Sequence, residues 1–283
     1  MTSGAQNSHP YYVPHSSAYP VVLNAGLFFL SLGFVLKINA LAFGASLMLA
    51  GALLATYATV AWLGKITGEN ESGKYHPWEG RSFRIGMGYF IAAELMFFAV
   101  LLAALMYTRV FSLPWLHATD MLWPGFDGKW PSSGPAEKPF TPLNVWGIPA
   151  VNALLLLLSA ASFAWSRAGL LQGNRGQMAS GLLFTFVLGA TFLGQQLVEY
   201  GHAASELGVV IGAGSYGALF YLLTGFHGLH LLTGLVMLLV ALLRGFNGHF
   251  NPASYFGFEA VGWYWNFVVV APGLLVFIYF YFL

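Results

Sequence analysis

Three carboxylates and two histidines stand where a largely apolar chain could put them to chemical use. Glu94 interrupts the otherwise uncharged run IGMGYFIAAELMFFAVLLAALMY from Ile85 to Tyr107, and Arg84 bounds that run on one side. A helix rises about 1.5 Å per residue, which carries Glu94 roughly 15 Å from Arg84, close to the middle of a hydrocarbon core about 30 Å thick. A charge at that depth is costly unless it is paired, hydrated or protonated. Glu94 is therefore either a functional ionisable group or a protonated acid hydrogen-bonded to a neighbouring helix. His227 and His230, in TGFHGLH, are spaced i, i+3 and share one helical face. Either imidazole could meet Glu94, as a neutral hydrogen-bonded pair or as an ion pair. Glu199, in GQQLVEYGH with Gln195 one turn away, and Glu259, in FGFEAVGWYW, lie nearer the ends of their segments and are expected to be hydrated interfacial groups.

Redox and metal chemistry lack ligands. The chain has no cysteine, which removes disulfides, iron–sulfur clusters and thiolate metal centres together. A membrane haem needs axial histidines on facing helices, whereas only His227 and His230 are at membrane depth. His202 ends a segment, and His9, His15, His76, His117 and His249 fall in loops or the N-terminal tail. No phosphate-binding loop and no nucleophile elbow occurs. No catalytic residue, cofactor or metal site is expected in this chain.

The elements that must position Glu94 follow from composition. The chain has 283 residues, 58% hydrophobic and only 7% charged, against about 25% charged in soluble domains. It is expected to be an all-helical, polytopic membrane protein. Spans are expected near 21–38, 41–62, 83–109, 145–166, 177–201, 215–244 and 255–283. These runs are too long, and alternate too little, for membrane strands. Residues 1–20 form a polar, proline-punctuated segment without the pattern of a cleavable signal. A polar loop, 63–82, separates the first two spans (21–62) from the remaining five (83–283). A second loop, 110–144, carries Trp115, Trp123 and Trp130 at expected headgroup level. Lys65, Lys74, Arg81, Arg84, Arg167, Arg175 and Arg244 then share one side, against Lys37, Arg109, Lys129 and Lys138 on the other. The positive-inside rule orients the chain N-terminus in the cytoplasm and C-terminus outside. The net charge of +1 makes nucleic acid an unexpected partner. Gly88 with Ala92, and Gly225 with Gly228, are expected to be helix-packing positions. No internal repeat is evident.

At these residues the chain resembles subunit III of the haem-copper cytochrome c oxidases. RIGMGYFIAAELMFF is similar to that family's third-helix signature, with Glu94 at the position of its carbodiimide-reactive glutamate. LGQQLVEY, GSYGALFYLLTGFHGLHLLTG and GHFNPASYFGFEAVGWYWNFV resemble its fifth, sixth and seventh helices, and MLWPGF and TPLNVWGIPAVNALLLLLSA also fit. The resemblance runs over residues 9 to 283. Where the family usually reads WYWHFVDVVW this chain reads WYWNFVVVAP, so Asn266, Val269 and Pro272 replace a histidine, an aspartate and a tryptophan. Ser254 and Tyr255 replace a usual histidine pair, and SFAWSRAGL lacks further histidines. Pro272 is expected to kink or break the last helix. These departures mark a divergent, bacterial-type member.

The resemblance implies a non-redox subunit of a proton-pumping cytochrome c oxidase of aerobic electron transport, in the cell inner (plasma) membrane. Haem and copper would lie in partner subunits. Subunit I would be the main contact, subunit II a further one, and cytochrome c an indirect partner. The implied roles are support of proton uptake, of phospholipid binding and of stability in the catalytic subunit. Helices one and two would splay from helices three to seven around bound phospholipid. The lipid-contacting residues by resemblance are Trp62, Glu69 or Glu71, His76, Arg81, Arg244 and His249. A related quinol oxidase, a proton-coupled transporter, and a scaffold in which Glu94 is inert are the competing readings.

Overall fold

The computed structural model describes residues 16–75, 78–135, 140–250, 252 and 255–282, without the side chains of Glu71, Tyr279, Tyr281 and Phe282. His9, His15, Lys138 and Ser254 lie outside the described residues. All regular structure among those described is helical. In chain order it comprises α1 (Tyr19–Ile38), α2 (Gly44–Glu71), α3 (Glu79–Tyr107), α4 (Leu113–His117), α5 (Ile148–Leu171), α6 (Arg175–Ser205), α7 (Ser215–Phe246) and α8 (Phe256–Val268).

Local chemistry sets several ends. Prolines occupy the first turns of α1, α4 and α5, where the missing N–H would have no intrahelical acceptor. Between α5 and α6 the turn is tight. Gly173 adopts φ 73° to close one helix, and Asn174 caps the next by accepting from the Gln177 N–H at 3.1 Å.

Six helical stretches are long and apolar enough to cross a membrane among the described residues, with Glu79–His117 counted as one. Two ends differ most from those expected. α2 runs to Glu71 rather than residue 62, because hydropathy records where apolar side chains stop and a polar helix continues past that point. The third span passes through a π-helical turn, Thr108–Ser112, to His117. There Tyr107, Phe111 and Trp115 stack at one-turn spacing, with centroids 5.5 and 6.0 Å apart, and carry the helix onward.

The expected seventh span is a 13-residue α-helix, α8, continued by π-helical segments Val269–Leu274 and Phe277–Phe282. Pro272 lies within the first of these. It has no N–H to offer the carbonyl four residues back, so the chain widens at that point instead of ending.

The chain divides into two compact units, Met1–Phe83 and Arg84–Leu283. In the first, α1 and α2 meet backbone to backbone. A Cβ on Gly26 would lie 2.6 Å from the Ala55 nitrogen, and one on Gly51 would lie 2.7 Å from the Gly26 carbonyl oxygen. Small residues permit this approach, which in lipid supplies the packing energy that water would otherwise drive.

In the second unit, Phe98, Leu156, Phe163, Leu182, Leu235 and the fully buried Trp265 form the main core. Trp265 donates Nε1–H to the Ser159 hydroxyl at 3.1 Å, and Gly189 and Gly234 accommodate its ring. Hydroxyls tie α5 to α6: Ser162 donates to the Gly181 carbonyl at 2.9 Å and Ser166 to the Met178 carbonyl at 2.6 Å. Neither Gly88 nor Gly225 has anything within 4 Å of a notional Cβ, so the close packing expected there falls instead on Gly181, Gly189 and Gly262. Small-residue spacing marks a smooth helix face; it does not say which neighbour the face meets.

Candidate functional site

α3 and α7 hold the most telling pair. Glu94 Oε2 lies 2.9 Å from His230 Nε2, while His230 Nδ1 lies 2.7 Å from the Phe226 carbonyl one turn earlier. A carbonyl can only accept, so Nδ1 carries a proton. The Glu94–His230 contact then needs one further proton, carried either by the carboxyl group or by Nε2. In both cases the pair is neutral overall, which is what makes it tolerable between apolar helices. The pair is partly buried, with side-chain exposures of 25% for Glu94 and 14% for His230. Phe97 and Phe98 flank the imidazole, with centroids 6.1 and 5.0 Å away, and the Tyr264 hydroxyl donates to the His230 carbonyl at 3.1 Å.

His227, one turn earlier on α7, is directed elsewhere. It packs edge-on against Phe192, with ring centroids 5.4 Å apart. Asn266, at the position usually histidine in the resembled family, donates to the Gly262 carbonyl of its own helix at 2.9 Å.

Glu199 corrects an expectation. Its place near a span end suggested hydration, yet it is only 2% exposed and accepts from Gln196 Nε2 at 2.9 Å. Gln196, not Gln195, is the neighbour: both lie within a turn of Glu199, and Gln196 is the one that is buried. Glu259 is likewise paired: Arg84 Nε and Nη2 donate to its Oε2 at 3.2 and 3.1 Å, and the Arg84 guanidinium lies 5.3 Å from the Phe256 ring centroid.

The residues singled out for lipid contact divide between the two units. Trp62, Glu69 and Arg81 belong to the first, where the Tyr75 hydroxyl donates to Glu69 at 3.2 Å. Arg244 and His249 belong to the second. Arg244 sits over the Phe250 ring at 5.3 Å, and the His249 N–H donates to its carbonyl at 3.1 Å. Gly248, at φ 75°, brings this turn against the Arg175 guanidinium, so cations gather at one end of the bundle. His76 and the Glu71 side chain lie outside the described residues. Among those described, no group of three or more His, Asp or Glu side chains could hold a metal ion.

Helices of membrane length, with carboxyl groups paired inside or at the ends of the bundle, define a polytopic helical membrane protein. The family model for cytochrome c oxidase subunit III matches residues 9–283. Cytochrome c oxidase subunit 3 of Oryctolagus cuniculus is 35% identical over 266 residues, covering 93% of each chain. The human protein of the same name is 33% identical over 266 residues, with the same coverage, and that of Marchantia polymorpha is 31% identical over 263 residues. The chain belongs to the cytochrome c oxidase subunit III family.

Proposed function

We propose that this chain serves as the non-redox third subunit of a proton-pumping cytochrome c oxidase in a plasma membrane, N-terminus in the cytoplasm and C-terminus outside. It flanks subunit I, touches subunit II, and supports proton uptake and the working lifetime of the catalytic subunit. The observation that carries this reading is the Glu94–His230 pair, at 2.9 Å between α3 and α7. A carboxyl group sharing one proton with an imidazole at membrane depth can pass that proton between its two members without a net charge in the bilayer, and giving the proton up leaves one negative charge that draws another in. Haem and copper belong to the partner subunits. Arg244, His249, Trp62, Glu69 and Arg81, with Glu71 and His76, would hold phospholipid, the cationic members facing anionic headgroups.

The test is Glu94→Gln in the assembled oxidase. Assembly, haem content and initial turnover are expected to be retained, while the number of turnovers before inactivation falls or the alkaline limb of the rate profile shifts. An assembled variant with unchanged lifetime and unchanged pH profile would reduce Glu94 to a structural contact.

A further inference from the structure

A second polar site lies inside the bundle, and the Glu94–His230 pair takes no part in it. A cavity of about 30 Å³ has an apolar wall that includes Leu156 and Phe192, and a polar one made by Asn152 of α5, Gln196 and Glu199 of α6, and Thr224 and His227 of α7, with Gly273 beyond Pro272. One water needs on the order of 10–15 Å³ of such volume, so the space suits about two. Cavities that stay dry are apolar, and this one presents an amide, an imidazole and a carboxyl group.

Its walls include polar atoms that no protein group satisfies. Asn152 is 3% exposed and His227 4% exposed, and neither Asn152 Oδ1, Asn152 Nδ2 nor His227 Nε2 has a hydrogen-bond partner among the described residues. The Thr224 hydroxyl is engaged elsewhere, donating to the Phe220 carbonyl at 2.6 Å and accepting from Tyr200 at 2.8 Å. Buried polar atoms of this kind are costly in a membrane, where bulk water cannot reach them. The space beside Nε2 exists because residue 273 is glycine: a Cβ there would lie 3.4 Å from His227 Nε2 and 3.1 Å from Leu156 Cδ1.

We propose that this cavity is a water-binding site. One water hydrogen-bonds His227 Nε2, and two waters together satisfy the Asn152 amide and extend to the Glu199–Gln196 hydrogen bond. The site links α5, α6 and α7 to the π-helical turn that Pro272 imposes, and so supplies polar contacts where the last helix departs from α geometry.

The membrane complex containing this chain is imaged at a resolution that shows ordered water. Density within hydrogen-bonding distance of His227 Nε2 and of the Asn152 amide is expected, and Gly273→Ala should remove the peak beside Nε2 while leaving the one at Asn152. A cavity without density, or an Asn152 amide bonded directly to His227, overturns the proposal. An independent readout is the unfolding equilibrium constant of Asn152→Leu, His227→Leu and the double variant. Waters shared by the two side chains predict that the double variant loses at least about threefold less than the product of the single losses. Effects that simply multiply are the contrary result.

Discussion

Replacing both members of the Glu94–His230 pair should harm the protein less than the single replacements suggest. Glu94→Leu leaves His230 Nε2, which now has its partner at 2.9 Å, without it, while His230→Leu leaves the Glu94 carboxyl group without its imidazole. A buried polar group stranded in this way costs about 1–3 kcal/mol. The side chains here are 25% and 14% exposed, which places each single variant in the lower part of that range, about 1–2 kcal/mol. In the double variant neither polar group remains, and two leucines meet between apolar helices at little net cost. The expected coupling is therefore about 1 kcal/mol or more, above the roughly 0.6 kcal/mol average of hydrogen bonds between membrane helices. Thermal unfolding in detergent, followed by tryptophan fluorescence, resolves this, since each kcal/mol shifts the midpoint by about 2–4 °C at comparable soluble chain lengths. Additivity of the single losses within about 0.5 kcal/mol would refute the reasoning.

Two further substitutions probe the frame around that pair. Gly189→Ala would drive a methyl to within 2.5 Å of the Trp265 ring, which is fully buried and held by Ser159, so a loss of about 1–3 kcal/mol is expected in the same unfolding measurement. Arg84→Gln removes an ion pair whose arginine side chain is 46% exposed; the loss should stay below about 1 kcal/mol and shrink further when the measurement is repeated in high salt.

Particular residues show how far the sequence could be followed. Glu94 was legible because one carboxylate in a long apolar run is expensive wherever the run ends up. Its partner was legible only as a choice of two. His227 and His230 differ by about 60° around a helix, less than the width of an apolar stripe, so the rotation of α7 against its neighbours decides between them. Glu199 was misjudged for a related reason. Hydropathy reports depth along a span, whereas burial depends on which side of α6 faces α5 and α7. Gln196 at i−3 was the available signal, since two polar residues on one face point inward together. The packing glycines followed the same pattern: Gly88 and Gly225 carried the spacing signal, while the close approaches fall on Gly181 and Gly189, which the spacing did not single out.

The sequence by itself determined that the chain is helical, that it belongs in a membrane, that it lacks the ligands for a haem or thiolate metal centre, and that Glu94 requires a partner. Those conclusions rest on composition and on the cost of charge in hydrocarbon, which are independent of packing. Only the tertiary structure decided that His230 is that partner, that Glu199 is enclosed, and that His227 is buried against Phe192 instead. Each depends on the rotation and register of one helix against another, and in a bundle made of nearly interchangeable apolar side chains that information appears only when the surfaces meet.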